Sequence, residues 1–109
     1  MKFENVLKRA RAIASTSDIS KIDFLAIQIN ITGEDPGVFY IEVKDGGISV
    51  EPYEYYDRQC IITLSDEDFN GIIDGTVDPI KEYEKGLLKA DGDLDKALVF
   101  TRLLQSQLK

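Results

Sequence analysis

The spacing of apolar residues along the chain predicts four helices and five strands. At residues 2–15 an apolar side chain recurs every three or four positions, which is the period of an amphipathic helix. At residues 23–32 branched apolar residues occupy every second position, which predicts a long strand. The inward positions are Phe3, Val6, Leu7, Ala10, Ile13 and Ala14 in the helix, and Leu25, Ile27, Ile29 and Ile31 in the strand.

Two glycine-rich turns connect this strand to the next two. Residues 33–37 (GEDPG) form the first turn by composition, and residues 45–47 (DGG) are typical of a tight hairpin. Pro52 weakens or bends the end of the third strand, because proline cannot donate to the ladder. The inward positions of these two strands are Phe39, Ile41, Val43, Ile48 and Val50.

Residues 58–92 are predicted to form strand, helix, helix and strand, with capping signals at the helix boundaries. Ser65 is an N-cap, and Asp68 is the other half of a capping box. Gly75 stands where a helix ends on a residue with positive φ, and the Asp-Pro pair at 78–79 starts the next helix. The predicted inward residues are Cys60, Ile62, Leu64, Phe69, Ile72, Ile73, Ile80, Tyr83, Leu88 and Ala90.

The last predicted helix, residues 93–107, is apolar on most of its circumference. Such a helix is expected to be covered on more than one side. Val99 and Leu103 fall nearly opposite its predicted core stripe, with Phe100 between. That stripe consists of Leu94, Ala97, Leu98, Thr101, Leu104 and Leu108.

These elements assemble most simply into an α+β fold. Three hairpin-linked strands, a fourth, and a fifth after two helices give a five-stranded, mostly antiparallel sheet. Helices would cover one face of the sheet, and the other face would be exposed to solvent. With 109 residues, we expect one domain spanning residues 1–109.

Charge narrows the class of partner. The net charge of −7 argues against a nucleic-acid-binding protein, which normally carries a basic stripe. Residues 1–22 are the exception, with five Lys or Arg against two acidic residues. Transient contact of this basic helix with an anionic membrane is one interpretation, and a solvated helix face is the simpler one, since the acidic remainder would be repelled.

The residues suited to catalysis are few. The chain has no His, the commonest general base and metal ligand, and its one cysteine, Cys60, lies on an apolar strand face where a thiol is inert. Residues 91–95 (DGDLD) open like a calcium loop, but Lys96 and Arg102 replace its Gly and Glu. We therefore expect no enzymatic activity, no cofactor and no metal site. A single cysteine and the lack of a signal peptide favour the reducing cytoplasm.

Several short motifs follow one another in a recognisable order. They are Cys60-x-Ile62-Thr63-Leu64, Asp68-Phe69, Gly75, Asp78-Pro79, Gly86-x-Leu88-Lys89-Ala90-x-Gly92 and Ala97-Leu98. Together they resemble the sterol carrier protein type 2 family. The resemblance implies an apolar tunnel that carries a fatty acyl, isoprenoid or sterol-like ligand without catalysis. The ending Gln107-Leu108-Lys109 is not the peroxisomal S-K-L address, which suggests a stand-alone prokaryotic member or one that works outside the peroxisome.

By this resemblance and the facing pattern, apolar residues from the sheet and helices would form the tunnel wall. They are Leu25, Ile27, Ile29, Phe39, Ile41, Ile62, Leu64, Phe69, Ile73, Ile80, Tyr83, Leu88, Leu98 and Phe100. Ala90 is small where the family usually has a larger aliphatic residue. The same residues would fill a dry core, so a second interpretation stays open. It is a structural or protein-interaction module acting through its last helix, with Val99 and Leu103 available for a homodimer.

Overall fold

In the computed structural model, which describes residues 2–107, the elements follow the predicted order. The helices are α1 (Phe3–Thr16), α2 (Asp66–Asp74), α3 (Pro79–Glu84) and α4 (Leu94–Leu104), and a 3₁₀ turn (Gln105–Gln107) follows α4. The strands are β1 (Phe24–Thr32), β2 (Gly37–Lys44), β3 (Gly47–Glu51), β4 (Cys60–Ser65) and β5 (Lys89–Gly92).

The strands form a sheet in the order β3-β2-β1-β4-β5. β1 and β4 pair in parallel, and the other three pairings are antiparallel, so the mostly antiparallel prediction is confirmed. The register aligns Ile29 with Phe39 on one side and with Ile62 on the other. Because residues in register share a face, the alternating apolar residues of three strands form one continuous apolar surface.

Helices α1, α2 and α4 cover that surface. Phe39, Phe69 and Phe100 are among the largest fully buried side chains, and the Phe39 and Phe69 rings meet edge to face at 6.0 Å. The local signals around α2 and α3 are confirmed. The Ser65 hydroxyl accepts from the Asp68 amide at 3.0 Å, and Gly75 ends α2 at φ 81°.

The two arginines of α1 make contacts within the molecule. Arg9 forms an ion pair with Asp74 and donates to the Asn70 side chain at 2.8 Å. Arg11 donates to the Val50 carbonyl at 3.1 Å. These two side chains therefore hold α1 against α2 and β3.

The opposite face of the sheet is only partly exposed to solvent. The prediction that this face is fully exposed is therefore wrong. Residues 52–59 cross the middle of β1 and bury Ala26 and Gln28. The Gln28 side chain accepts from the Tyr55 amide at 3.2 Å, and the Gln59 side chain accepts from the Ala26 amide at 2.9 Å. Alternation alone missed this cover because residues 52–59 have no regular period of their own.

The predicted facing of α3 is wrong. Ile80 and Tyr83 are 52% and 45% exposed, whereas Pro79 and Glu82 are buried. Pro79 and Glu82 are also three residues apart, so a helix of six residues offers two alternative faces of equal spacing. The apolar pair of α3 points toward α4 instead of into the core.

The predicted core stripe of α4 is also wrong in part. Leu94 and Leu98 are 48% and 37% exposed, while Leu103 is buried and Val99 packs against the core. Because α4 is apolar on most of its circumference, its periodicity does not fix its orientation; in the structure Phe100 and Leu104 face the core. Leu103 is therefore not available to a partner, and the basis for a homodimer through that residue is lost. Leu108 lies outside the described residues.

Candidate ligand-binding groove

A concave groove lies between α3, α4 and the sheet edge at β5. Its volume is about 160 Å³, and nearly all the lining atoms are apolar. The lining residues are Ile62, Pro79, Ile80, Tyr83, Leu88, Ala90, Leu94, Ala97, Leu98 and Thr101.

Each wall of the groove follows from a local pattern in the sequence. One wall is a ridge of α4. Its residues follow the helical spacing i, i+3, i+4, i+7 and are Leu94, Ala97, Leu98 and Thr101. The floor is where Ile62 on β4 faces Ala90 on β5 across the strand pair. The Ala90 side chain is a single methyl group, so the floor is open at that point.

The third wall is α3, which is held less firmly than the other two. This helix makes few contacts with the other elements. Gly75 and Gly86 lie on either side of it, both in the left-handed region at φ 81° and 79°, which glycine adopts without strain. The segment between Gly75 and α3 stays attached to α2, because the Thr76 and Val77 amides donate to the Gly71 carbonyl at 2.9 and 3.1 Å, so α3 itself is the loosely packed part.

Glu82 lies on the inner side of α3, away from Ile80 and Tyr83. Its side chain is buried, and among the described residues its Oε2 atom has no hydrogen-bond partner. Burial, followed by the neighbouring carboxyl group of Asp68, raises the pKa of Glu82. The inner contact of α3 therefore depends on a carboxyl group that stays protonated to a higher pH than usual.

The structure divides the predicted tunnel residues into two sets. Five of them line the groove: Ile62, Ile80, Tyr83, Leu88 and Leu98. The other nine lie in the packed core: Leu25, Ile27, Ile29, Phe39, Ile41, Leu64, Phe69, Ile73 and Phe100. Ile62 and Leu88 belong to both the packed core and the groove lining, whereas Ile80, Tyr83 and Leu98 are exposed to the groove.

Sequence reasoning did not place five lining residues in the wall: Pro79, Ala90, Leu94, Ala97 and Thr101. Three of them, on α4, belong to the predicted core stripe: Ala97 and Thr101 are buried as predicted, whereas Leu94 is exposed. Pro79 was interpreted only as a helix start. Ala90 was noted as small, which is the property that opens the floor.

The size of the groove limits what it can hold in this conformation. Pockets for drug-sized ligands have volumes of about 300–1,000 Å³, and an apolar cavity of about 150 Å³ holds a benzene molecule. The groove, at about 160 Å³, therefore accommodates a short segment of an apolar chain. Enclosing a longer chain requires one wall to move.

The thiol of Cys60 does not line the groove. Cys60 is 1% exposed, and burial raises the pKa of its thiol. The prediction of a buried, structural cysteine is confirmed.

Within residues 2–107, no helix is both long enough and apolar enough to span a bilayer.

Comparison with known proteins identifies the family. Residues 3–105 match the SCP-2 sterol transfer family. The chain belongs to this family. Its members are, in general, carriers that bind and transfer sterols and other lipids. The predicted family and fold are both confirmed.

Among relatives, the chain is similar to human sterol carrier protein 2, with 30% identity over 71 residues that make up 65% of this chain and 13% of that protein. It is also similar to bovine hydroxysteroid dehydrogenase-like protein 2, with 26% identity over 92 residues, or 82% of this chain and 22% of that protein. The chain thus spans less than a quarter of the length of these relatives.

A solved structure with a similar fold is palmitated SCP2L2 from Aedes aegypti. The TM-score is 0.72 at 19% sequence identity, and the match covers 96% of each chain. At this identity, the similarity establishes the fold alone.

Proposed function

We propose that this domain binds one apolar chain, of the fatty acyl, isoprenoid or sterol-like class, in the groove between α3, α4 and β5, and transfers it without chemical change. The observation that carries the proposal is an almost wholly apolar groove walled by half-exposed Ile80, Tyr83, Leu94 and Leu98. Scattered surface leucines are normal, but exposed apolar side chains gathered around one concave site are typical of a binding surface.

Apolar contact supplies enough free energy for such binding. Each buried methylene group contributes about 0.8 kcal/mol, so a sixteen-carbon chain gains roughly 12 kcal/mol before the cost of association is subtracted. That cost is about 4 kcal/mol or more, so the affinity is micromolar at best, about −8 kcal/mol. No covalent or metal contact is needed.

The moving wall is α3 in this proposal. The helix α4 buries Phe100, Leu103 and Leu104, and it packs against β1, β4, β5, α1 and α2. Displacing α4 would expose this part of the core, whereas displacing α3 would expose little beyond Pro79 and Glu82. A long ligand would therefore enter by separating α3 from α4.

Two measurements test the proposal. Native mass spectrometry of freshly purified protein should show a bound lipid that is removed by delipidation. Binding of a fluorescent fatty acid to the delipidated protein should then fall at least tenfold in Leu98→Asp, because the substitution puts a charge in the apolar groove.

Leu87→Asp is the matched control, since Leu87 is 56% exposed and does not line the groove. It should bind like the wild type. Equal affinity in the two variants would show that the groove is not the binding site. Absence of bound lipid together with absence of fatty acid binding would contradict the proposed function itself.

A further inference from the structure

The apolar groove continues at one end into a polar cleft. The two share Pro79, Ile80, Leu98 and Thr101 in their walls. The cleft has a volume of about 500 Å³, and about half of its lining is polar. Thr76, Asp78, Arg102 and Gln105 contribute polar side chains to it. Groove and cleft together form one site with an apolar half and a polar half.

Helix α4 runs along both halves. Leu94 and Leu98 face the groove, whereas Arg102, and Gln105 just after the end of α4, face the cleft. At 1.5 Å per residue, Leu94 and Arg102 are about 12 Å apart along the helix axis. The helix thus changes from apolar to polar along its length, which fits a ligand with an apolar tail and a polar head.

Arg102 is the cation in the cleft, and its guanidinium has neither a hydrogen bond nor an ion pair to any residue from 2 to 107. Arg9 and Arg11, by contrast, both bind within the protein. Arg102 lies in the last turn of α4, where the helix dipole favours a cation. The helix dipole explains why a positive charge is favourable in this turn. It does not explain why the Arg102 side chain lies on the wall of the cleft.

The cleft also contains the carboxylate of Asp78, which is engaged as the N-cap of α3. Its Oδ1 atom caps α3 by accepting from the Ile80 amide at 2.9 Å and the Lys81 amide at 3.4 Å. In a chain of net charge −7, an anion entering the cleft would find Arg102 as the unpaired cation of its lining.

We propose that Arg102 selects amphiphiles with an anionic headgroup, a carboxylate or a phosphate monoester, that lies in the cleft while the tail fills the groove. The planar guanidinium presents paired N–H donors that match either group, and such charge-assisted hydrogen bonds are about twice as strong as neutral ones. The inference rests on the proposed function, because the tail must bind in the groove.

The test compares three twelve-carbon ligands on delipidated protein by isothermal calorimetry: dodecanoate, dodecyl phosphate and dodecanol. Wild-type protein should bind at least one of the anions more tightly than the neutral alcohol, and the tighter anion identifies the headgroup class. Arg102→Gln should weaken that anion about tenfold, since a hydrogen bond to a charged group is lost, and should leave dodecanol unchanged. Arg102→Lys, which keeps the charge but not the paired donors, should fall between the two.

Lys8→Gln is the matched control, because it removes one positive charge from the exposed side of α1, away from groove and cleft. It should change none of the three affinities. The inference about Arg102 is overturned, with the proposed function intact, if Arg102→Gln leaves all affinities unchanged or lowers all three equally. If wild-type protein binds none of the three ligands, the proposed function fails and this inference fails with it.

Discussion

Replacing Ala90 by isoleucine should close the groove from its floor. Ala90 faces Ile62 across the β4–β5 pair and contributes only a methyl group to the lining. Isoleucine suits a strand and adds three carbon atoms at this point. Those atoms would occupy space that we assign to the ligand.

The expected magnitude follows from the number of displaced carbon atoms. Three methylene equivalents at about 0.8 kcal/mol each amount to about 2.4 kcal/mol, which is roughly a fiftyfold loss of affinity. The stability of the free protein should be unchanged or higher, because the new side chain fills open space. If the site were a filled core instead, the added volume would destabilise the fold by about 1–3 kcal/mol.

The assay pairs a fluorescent fatty acid titration of delipidated protein with urea unfolding of the same samples. Two matched variants serve as controls. Ala12→Ile, on the exposed side of α1, should change neither measurement. Ala10→Ile, at a position 1% exposed in the packed core, should show the 1–3 kcal/mol cost of overpacking.

The combined result decides between the two interpretations of the interior. Fiftyfold weaker binding without loss of stability supports a ligand groove at Ala90. Loss of stability in Ala90→Ile, comparable to that in Ala10→Ile, with unchanged affinity would refute the reasoning. It would mean that side chains already fill this space and that the ligand, if any, binds elsewhere.

Two further predictions concern the core and the inner side of α3. Ile62→Asp should prevent folding, because it puts an unpaired carboxylate at a fully buried position. Ile61→Asp, half-buried on the other face of the sheet, should still melt cooperatively in circular dichroism. A soluble Ile62→Asp protein that melts cooperatively would contradict the strand register. Because the pKa of Glu82 is raised from 4.5 by burial and by Asp68, the stability due to its protonated form is complete below that value and is lost as the pH rises through the raised pKa. Glu82→Gln should therefore become increasingly more stable than the wild type in thermal melts as the pH rises above 4.5, and parallel curves would disprove this.

The elements could be predicted from the sequence because their signals are local. Ser65, Gly75 and Asp78 act within four residues of their own positions, and each behaves as the capping rules state. The inward face of β1 could be predicted because a strand has only two faces, and the more apolar face is the one that packs in the core.

The groove could not be predicted because the same residue types line a hollow and a packed core. Hydropathy does not separate Leu98, which lines the groove, from Leu104, which is fully buried. That difference depends on the rotation of α4 about its axis, which the periodicity leaves open. The cover over Gln28 was missed for a related reason, since it depends on hydrogen bonds from an irregular segment.

The central claim is that an apolar chain binds between α3, α4 and β5. The most direct measurement is photo-crosslinking with a fatty acid that carries a diazirine near its methyl end, followed by peptide mass spectrometry. Binding in the groove predicts adducts on residues 79–83, 88–90 and 94–101, suppressed by excess unlabelled fatty acid. Adducts concentrated on the exposed Tyr53 and Tyr56, or adducts that excess fatty acid does not suppress, would contradict it.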